Sequence, residues 1–346
     1  MTALSDRDMF KICLIGCGIM ANNSHGPAIK MYTKQNEGIQ FAACCDIDEA
    51  RAKSFAQKFD VPAWYTSIPA MLDEIKPQAV CLIAPVPITA ELSCEIMEKG
   101  YPLILEKPPG AHSKETRHMI QIANAKNIPN QVAFNRRYMP IVQKTVDILT
   151  QWGGVGCIYD LQYKMVRQNR TDPHFCTTAI HGIDLVKYIL QADYSHINFR
   201  YRELPDKGST VANFHLNCTM DNGVLANLAF LPISGINTER LEINTAHGLL
   251  CVNLPIWTGC YDGFGTIALY NDNEKKWELD GADIAGTSDD FVLAGFYHEN
   301  AVFFDAVRSG TKINGDVASG LQSVEIAECI SKRTNEYIRG ASHAKS

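Results

Sequence analysis

A histidine and an aspartate three positions apart are the first residues whose types suggest chemistry. His181 and Asp184 lie in the segment CTTAIHGIDLVKYIL, whose spacing predicts a helix over residues 179–190. Residues three apart share a helix face, so the pair could serve acid–base catalysis, ligate a metal or form a buried polar contact. A metal site needs further ligands at a recognisable spacing, and the sequence supplies none. We therefore predict no metal site, and catalysis and a core contact remain as alternatives for this segment alone.

A glycine-rich turn is the strongest local motif. In LIGCGIMA, the residues Gly16, Gly18 and Ala21 form G-x-G-x-x-A between an apolar strand and a helix. The first glycine permits a tight turn, the second lets the backbone approach a pyrophosphate, and the small third residue lets helix and strand pack closely. The N-terminus of the helix then faces the phosphates. The motif predicts a dinucleotide site.

An acid ends the next apolar run, IQFAACCD, at Asp46. Such an acid binds the hydroxyls of the adenine ribose, which favours NAD over NADP. The alternative is that Asp46 caps the following helix. Its separation from Gly16 exceeds the usual spacing of about twenty residues, which predicts an insertion in the first crossover.

Glu106 and Lys107 stand in LILEKPPG, at the C-terminal end of a predicted parallel strand. Open α/β sheets bind ligands at this edge, and a lysine there can donate to a hydroxyl or carbonyl of a substrate. The alternative is a surface Glu–Lys pair before a proline turn, which this tripeptide alone would favour.

The elements that must position these residues change character along the chain. Apolar strands over residues 10–16, 39–46, 79–85 and 102–108 alternate with helices, which predicts a parallel sheet covered on both faces. After about residue 133 the predicted strands are joined by turns; they cover residues 156–168, 210–220, 224–235, 240–254 and 265–271, and helices over 296–308 and 317–338 close the chain. We predict an α/β protein with a doubly wound Rossmann domain (1–132) and a C-terminal α+β domain (133–346) with an open, mostly antiparallel sheet.

Composition narrows the class of protein. The chain has 346 residues and a net charge of −6, which predicts two domains and argues against a nucleic-acid binder. No apolar run is long enough to span a membrane, and the first residues lack the pattern of a secretory signal. The 12 cysteines form no C-x-x-C pair and most stand in apolar runs. Reduced thiols and a cytoplasmic location are expected.

The order of motifs resembles the Gfo/Idh/MocA oxidoreductases. It runs GCGIMA, Asp46, IAPVPITAEL, LEKP, FNRRYMP and HGID, and the last helix pair fits as well. The resemblance implies a nicotinamide dinucleotide as cofactor and a sugar, cyclitol or derivative as substrate. Hydride would move between the nicotinamide and a carbinol or ketone carbon. In this family the outer face of the second sheet makes the oligomer contact, which implies a homodimer or homotetramer.

The resemblance also assigns residues. Lys107 and His181 would be catalytic and contact the substrate, while Asp184 would brace its helix. The cofactor would contact Gly16, Gly18, Ile19, Met20, Asp46, Ala84, Pro85, Glu106 and Asn135. Apart from the resemblance, Tyr163 and Arg167 are candidates for substrate contact because they lie on the strand before His181, and a solvated charge is the alternative for Arg167. Thr177, one helical turn before His181, could share its substrate face.

Two positions depart from the family pattern. Thr177 stands where many family dehydrogenases carry an aspartate, four residues before the histidine, and Thr89 replaces a frequent histidine. A threonine can hydrogen-bond a sugar but holds no fixed negative charge. Three functions therefore remain open: a sugar or cyclitol dehydrogenase, a glycosidase or lyase that oxidises its substrate transiently with NAD, and a non-catalytic nucleotide-binding sensor. The retained Lys107 and His181 favour an enzyme.

Overall fold

The chain divides into two compact units. The computed structural model describes residues 9–172, 175–257 and 259–340. The first unit combines the residues up to 135 with residues 295–321, and the second combines residues 136–294 with those from 322 onward. The segment 295–321 thus folds with the N-terminal part of the chain. The division into functional domains 1–132 and 133–346 stays a prediction.

The first unit is built on a six-stranded parallel sheet in the order β3-β2-β1-β4-β5-β6. This is the Rossmann strand order, which confirms the predicted doubly wound sheet. The strands are β1 (Phe10–Ile15), β2 (Ile39–Cys45), β3 (Ala63–Tyr65), β4 (Ala79–Leu82), β5 (Leu103–Glu106) and β6 (Asn130–Ala133). The helices are α1 (Gly26–Gln35), α2 (Glu49–Phe59), α3 (Ile68–Ile75), α4 (Val86–Glu98), α5 (Ser113–Lys126) and α10 (Phe296–Ser309).

The crossover from β1 to β2 contains a local irregularity. A π-helical turn, Ala21–His25, precedes α1, and the N–H of Gly26 donates to the carbonyl of Ala21. A π-turn accommodates one residue more than an α-helical turn would. It therefore accounts for part of the long separation between Gly16 and Asp46.

The core of the first unit explains why its strands read as continuous apolar runs. All residues of β4 and β5 are buried. Aromatic side chains cover β2, where Phe41 contacts Phe55 edge to face and Phe55 contacts Phe59. On α10, Phe303 and Phe304 join the same core cluster. Burial of this aromatic surface stabilises the unit.

The second unit is built on a nine-stranded sheet in the order β14-β13-β12-β11-β7-β10-β9-β8-β15. All neighbouring pairs are antiparallel except β7 and β10, which confirms the predicted mostly antiparallel sheet. The strands are β7 (Ile158–Gln168), β8 (Tyr194–Glu203), β9 (Ala212–Met220), β10 (Leu225–Ser234), β11 (Thr238–Thr245), β12 (Gly248–Asn253), β13 (Thr266–Asn271), β14 (Glu274–Asp280) and β15 (Glu336–Ile338). The helices are α6 (Pro140–Gln151), α7 (Cys176–Leu190), α8 (Gly281–Ala285) and α9 (Asp290–Leu293), and α11 (Val317–Ser331) begins in the first unit.

Two predicted elements were wrong in extent. The strand predicted over 240–254 is the hairpin of β11 and β12, because Gly248 adopts a φ of +121° at the turn. The last helix was predicted to reach residue 338, but α11 ends at Ser331, since Arg333 has a left-handed φ of +56° and residues 336–338 pair with β8. Among the helices that the structure describes, none has both the length and the apolar character needed to cross a membrane.

Candidate nucleotide and substrate sites

The glycine turn lies at the point where the strand order of the first sheet reverses. Gly16 follows β1 with a φ of +92°, and a Cβ atom on it would lie 2.0 Å from the carbonyl oxygen of Ile83, just after β4. Only glycine therefore fits this position. A Cβ atom on Gly18 would meet no protein atom within 4 Å, so the backbone is open to a close ligand. Ala21 is fully buried, as close helix–strand packing requires.

Asp46 is bonded to this turn. Its Oδ2 accepts from the backbone N–H of Cys17 at 2.7 Å, and its Oδ1 accepts from the N–H of Asp48 at 2.9 Å. The N-cap of α2 is Asp48, whose carboxylate accepts from Ala50 and Arg51, so the capping alternative for Asp46 does not hold. The hydrogen bond to Cys17 ties the acid that follows β2 to the turn that follows β1.

Large apolar side chains are exposed next to the glycine turn and Asp46. Ile19 is 79% exposed, Ile47 is 94% exposed, and Met20 is also exposed. Exposed apolar residues that cluster at a ligand-binding edge suit a flat aromatic ring such as adenine. The open space at Gly18, the held carboxylate and these apolar side chains together fit a dinucleotide.

The start of α4 lies at the same edge of the sheet, after β4. Pro85 caps α4, and the hydroxyl of Thr89 donates to the carbonyls of Ala84 at 3.1 Å and Pro85 at 3.0 Å. Thr89 therefore holds the backbone of the two residues that were predicted to contact the cofactor. These hydrogen bonds come from the hydroxyl group, which a histidine at this position would lack.

Glu106 is the last residue of β5 and is buried with both carboxylate oxygens engaged. Oε1 lies 3.1 Å from Nε2 of His25, and Oε2 accepts from the backbone N–H of Lys107 at 3.1 Å. Burial favours the neutral acid, but the hydrogen bond from His25 and the charge of Lys107 outweigh it and lower the pKa of Glu106. Asn135, buried after β6, begins the 3-10 turn Asn135–Tyr138.

In the second unit, α7 carries the predicted substrate residues. His181 and Thr177 are one helical turn apart, so they share a face. Asp184 forms a bidentate ion pair with Arg137, from Nε to Oδ2 at 2.7 Å and from Nη2 to Oδ1 at 2.5 Å. Asp184 thus braces the helix, as the sequence suggested. Lys107 belongs to the first unit and His181 to the second.

Tyr163 and Arg167 lie in a buried network around Glu239. The carboxylate of Glu239 accepts from the hydroxyl of Tyr163 at 2.9 Å, from Nε and Nη2 of Arg136 at 3.1 Å and 2.7 Å, and from Nη2 of Arg167. Burial would raise the pKa of Glu239, but the two guanidinium groups lower it to about 2. The network gives Tyr163 and Arg167 structural partners, and their contact with substrate stays a prediction.

The same network explains the glycine of HGID. A Cβ atom on Gly182 would lie 2.1 Å from the ring of Tyr163, so α7 can approach β7 only with glycine there. The ring is held in turn by Glu239. The network therefore sets the position of the helix that carries His181.

Sequence reasoning missed His25, Asn300, Arg136 and Glu239. The sequence did contain a signal for Glu239, because this residue shares the buried face of β11 with Leu241 and Ile243. Arg167 likewise continues the buried face of β7. Two opposite charges on the buried faces of strands indicate an ion pair. Within the described residues, no three His, Cys, Asp or Glu side chains are grouped so that they could hold a metal ion.

Comparison with known proteins agrees with this geometry. A sequence model of the Gfo/Idh/MocA family, described as an oxidoreductase family with an NAD-binding Rossmann fold, matches residues 10–134. The D-glucoside 3-dehydrogenase of Escherichia coli is 25% identical over 158 residues, which make up 46% of this chain and 44% of that enzyme. Three curated relatives are matched over 40%, 58% and 44% of their lengths, so the chain spans about half the length of these relatives.

Solved structures share the fold over nearly the whole chain. A Gfo/Idh/MocA family oxidoreductase from Vibrio cholerae superposes with a TM-score of 0.78 at 20% identity, covering 94% of this chain and 97% of that one. A levoglucosan dehydrogenase in complex with NADH gives a TM-score of 0.79 at 18% identity, covering 95% and 98%. At this identity the likeness shows the fold.

Proposed function

We propose that the protein is an NAD-dependent dehydrogenase of the Gfo/Idh/MocA family, whose sequence model matches residues 10–134. Its substrate would be a hydroxyl-bearing carbon of a sugar, cyclitol or sugar derivative. The observation that carries the proposal is the glycine turn at the switch point of the sheet, with Asp46 bonded to it. The relatives named as dehydrogenases of D-glucosides and of levoglucosan support the choice of carbohydrate.

The cofactor would be held at the edge formed by the turn and by the ends of β2 and β4. Gly18 leaves room for the pyrophosphate, and Ala84 and Pro85 line the next strand end. Asp46 favours NAD, because its carboxylate would accept from the ribose hydroxyls and would repel a 2′-phosphate. When bound, the nicotinamide group supplies the hydride acceptor.

Lys107 is the residue that we assign to the substrate hydroxyl in the first unit. It follows the buried end of β5, and Glu106 fixes its backbone N–H. A lysine can hydrogen-bond the reacting oxygen and exchange a proton with it. A fixed backbone limits the positions that the ammonium group can reach, which favours its alignment with the reacting oxygen of the substrate.

The residues of α7 are proposed as the second contribution to the reaction. His181 is assigned as base or relay and Thr177 as a hydrogen-bonding residue for the sugar. Both assignments rest on the family resemblance, and the bracing of α7 by Asp184 and Arg137 supports them. Thr177 cannot carry the charge of the aspartate that many relatives have there, so His181 would act without that neighbour.

An NAD-reduction assay tests the proposal. Purified protein would be incubated with NAD and a panel of free sugars, inositols, uronates and aryl glycosides, with absorbance and product analysis over time. Sustained NADH formation is expected with one class. Product formation without net NADH would contradict the proposal and indicate a glycosidase or lyase that oxidises its substrate transiently. NADH binding without any turnover would contradict it and indicate a non-catalytic sensor.

Substitution of the lysine sharpens the test. Lys107→Ala should lower kcat by 10²-fold or more, on the order expected for loss of a proton-transfer group, while the dissociation constant of NADH stays unchanged. Lys114→Ala, on the exposed side of α5, is the matched control. Near-normal turnover of Lys107→Ala would remove Lys107 from the mechanism.

A further inference from the structure

A buried histidine joins the helix after the glycine turn to the strand end that carries Lys107. His25, the last residue of the π-turn, is 1% exposed. Its Nε2 lies 3.1 Å from Oε1 of Glu106, and its Nδ1 lies 3.1 Å from Nδ2 of Asn300 on α10. All three residues belong to the first unit.

The contacts of Asn300 fix the tautomer of this ring. Its Nδ2 also donates to the carbonyl of Phe296 at 2.8 Å, which only an amide nitrogen can do, so the orientation of the amide follows from its surroundings. The same Nδ2 must then donate to Nδ1 of His25. The ring proton is therefore on Nε2, which donates to Glu106.

The carboxylate of Glu106 links the ring of His25 to the backbone of Lys107. One oxygen accepts from His25 and the other from the backbone N–H of Lys107 at 3.1 Å. Without His25 the carboxylate would lose the partner that orients it, and the N–H of Lys107 would lose a fixed acceptor. Single π-helical turns are frequent at functional sites, and His25 is the last residue of this one.

We propose that His25 is a positioning residue, which orients Glu106 and through it the backbone of Lys107. This inference rests on the proposed function for its effect on turnover, but its structural content does not. Three variants separate the contributions. His25→Phe keeps a ring against Phe296, whose centroid is 5.3 Å away, and removes every hydrogen bond. His25→Gln keeps one donor and one acceptor. His118→Phe changes an exposed histidine on α5 as a control.

Hydrogen exchange measured by NMR on the full chain gives the direct readout. His25→Phe should speed exchange of the Lys107 amide at least tenfold, while exchange of the Leu103 amide, bonded to the carbonyl of Pro129 at the other end of β5, stays unchanged. His25→Gln should restore the slow exchange of Lys107, and His118→Phe should change neither amide. Equal acceleration at Lys107 and Leu103 would show general loosening of the unit and would overturn the proposal. If His25→Phe does not fold, Asn300→Ala should speed the Lys107 amide about threefold and selectively; no acceleration would equally overturn it.

Kinetics supply the second readout. With a substrate found in the NAD-reduction assay, His25→Phe should lower kcat at least tenfold with little change in the KM for NAD, and His25→Gln should recover most of kcat. Selective amide exchange with unchanged kcat would refute the link to catalysis. If wild-type protein reduces no NAD with any substrate, the proposed function fails, while the exchange rates still decide whether His25 positions Lys107.

Discussion

Replacement of Glu239 by glutamine is the perturbation whose cost the structure predicts most directly. The carboxylate is fully buried and lies between the guanidinium groups of Arg136 and Arg167. Its pKa falls from 4.5 to about 2, and at about 1.4 kcal/mol for each tenfold change in proton affinity this corresponds to about 3 kcal/mol of stability at neutral pH. Removal of one partner from a buried ion pair costs roughly 3–5 kcal/mol in general. We therefore expect Glu239→Gln to lower the free energy of unfolding by about 3 kcal/mol.

The pH dependence gives the sign of the effect. A carboxyl group whose pKa is lower in the folded state stabilises fully above its unfolded pKa, and this stabilisation is lost as the pH falls through the folded pKa. The difference between wild type and Glu239→Gln should therefore be largest above pH 4.5 and shrink toward pH 2. Urea unfolding at pH 7, 5 and 3, followed by tryptophan fluorescence, measures it, because three of the four tryptophans lie in the second unit.

A matched control lies three residues further along β11. Glu242 is exposed, and Glu242→Gln should change the free energy of unfolding by less than about 0.5 kcal/mol at each pH. Equal stability of Glu239→Gln and wild type at pH 7 would refute the reasoning. So would a difference that does not change with pH, since it would then come from packing and not from the charge.

The glycine turn gives two further contrasts. Gly16→Ala should lower the free energy of unfolding by more than about 2 kcal/mol, because the new Cβ would collide with the Ile83 carbonyl at a left-handed φ. Gly18→Ala should leave stability unchanged and abolish NADH binding. Urea unfolding measures the stability of both variants, and a fluorescence titration measures their binding of NADH. Asp46→Asn should weaken NADH binding about tenfold, and Asp48→Asn, which keeps a good N-cap, should not change it in the same titration. Equal NADH affinity of the two aspartate variants would exclude Asp46 from the nucleotide site.

The parts of the fold that the sequence predicts are those whose signal is local. The strand before Gly16 and the strand before Asp46 are continuous apolar runs, so their burial can be inferred from the local sequence. β6 escaped prediction because Asn130 and Gln131 are buried polar residues in a strand of four. The amide of Gln131 donates to the carbonyl of Glu299, 168 positions away, and no local pattern reveals such a partner.

The candidate site divides in the same way. Gly16, Asp46 and Lys107 are found from their places at strand ends, since the ends of parallel strands meet at one edge. The groups that orient the buried carboxylates Glu106 and Glu239 are distant in sequence: His25 is 81 positions from Glu106, and Arg136 is 103 positions from Glu239. Residue types and spacing indicate which groups can do chemistry, whereas the groups that orient them follow only from the tertiary contacts.

Four buried carboxylates share one physical role in the two units. Asp46, Glu106, Asp184 and Glu239 each accept at least two hydrogen bonds. A buried charge that loses a partner is costly, so each carboxylate fixes its donors more tightly than a neutral group would. Asp46 fixes the glycine turn and Glu106 fixes the backbone of Lys107, both beside the proposed nucleotide edge. Asp184 and Glu239 fix the helix of His181 within a buried core. Amide substitutions should therefore impair ligand binding and turnover first in the former pair, and stability first in the latter.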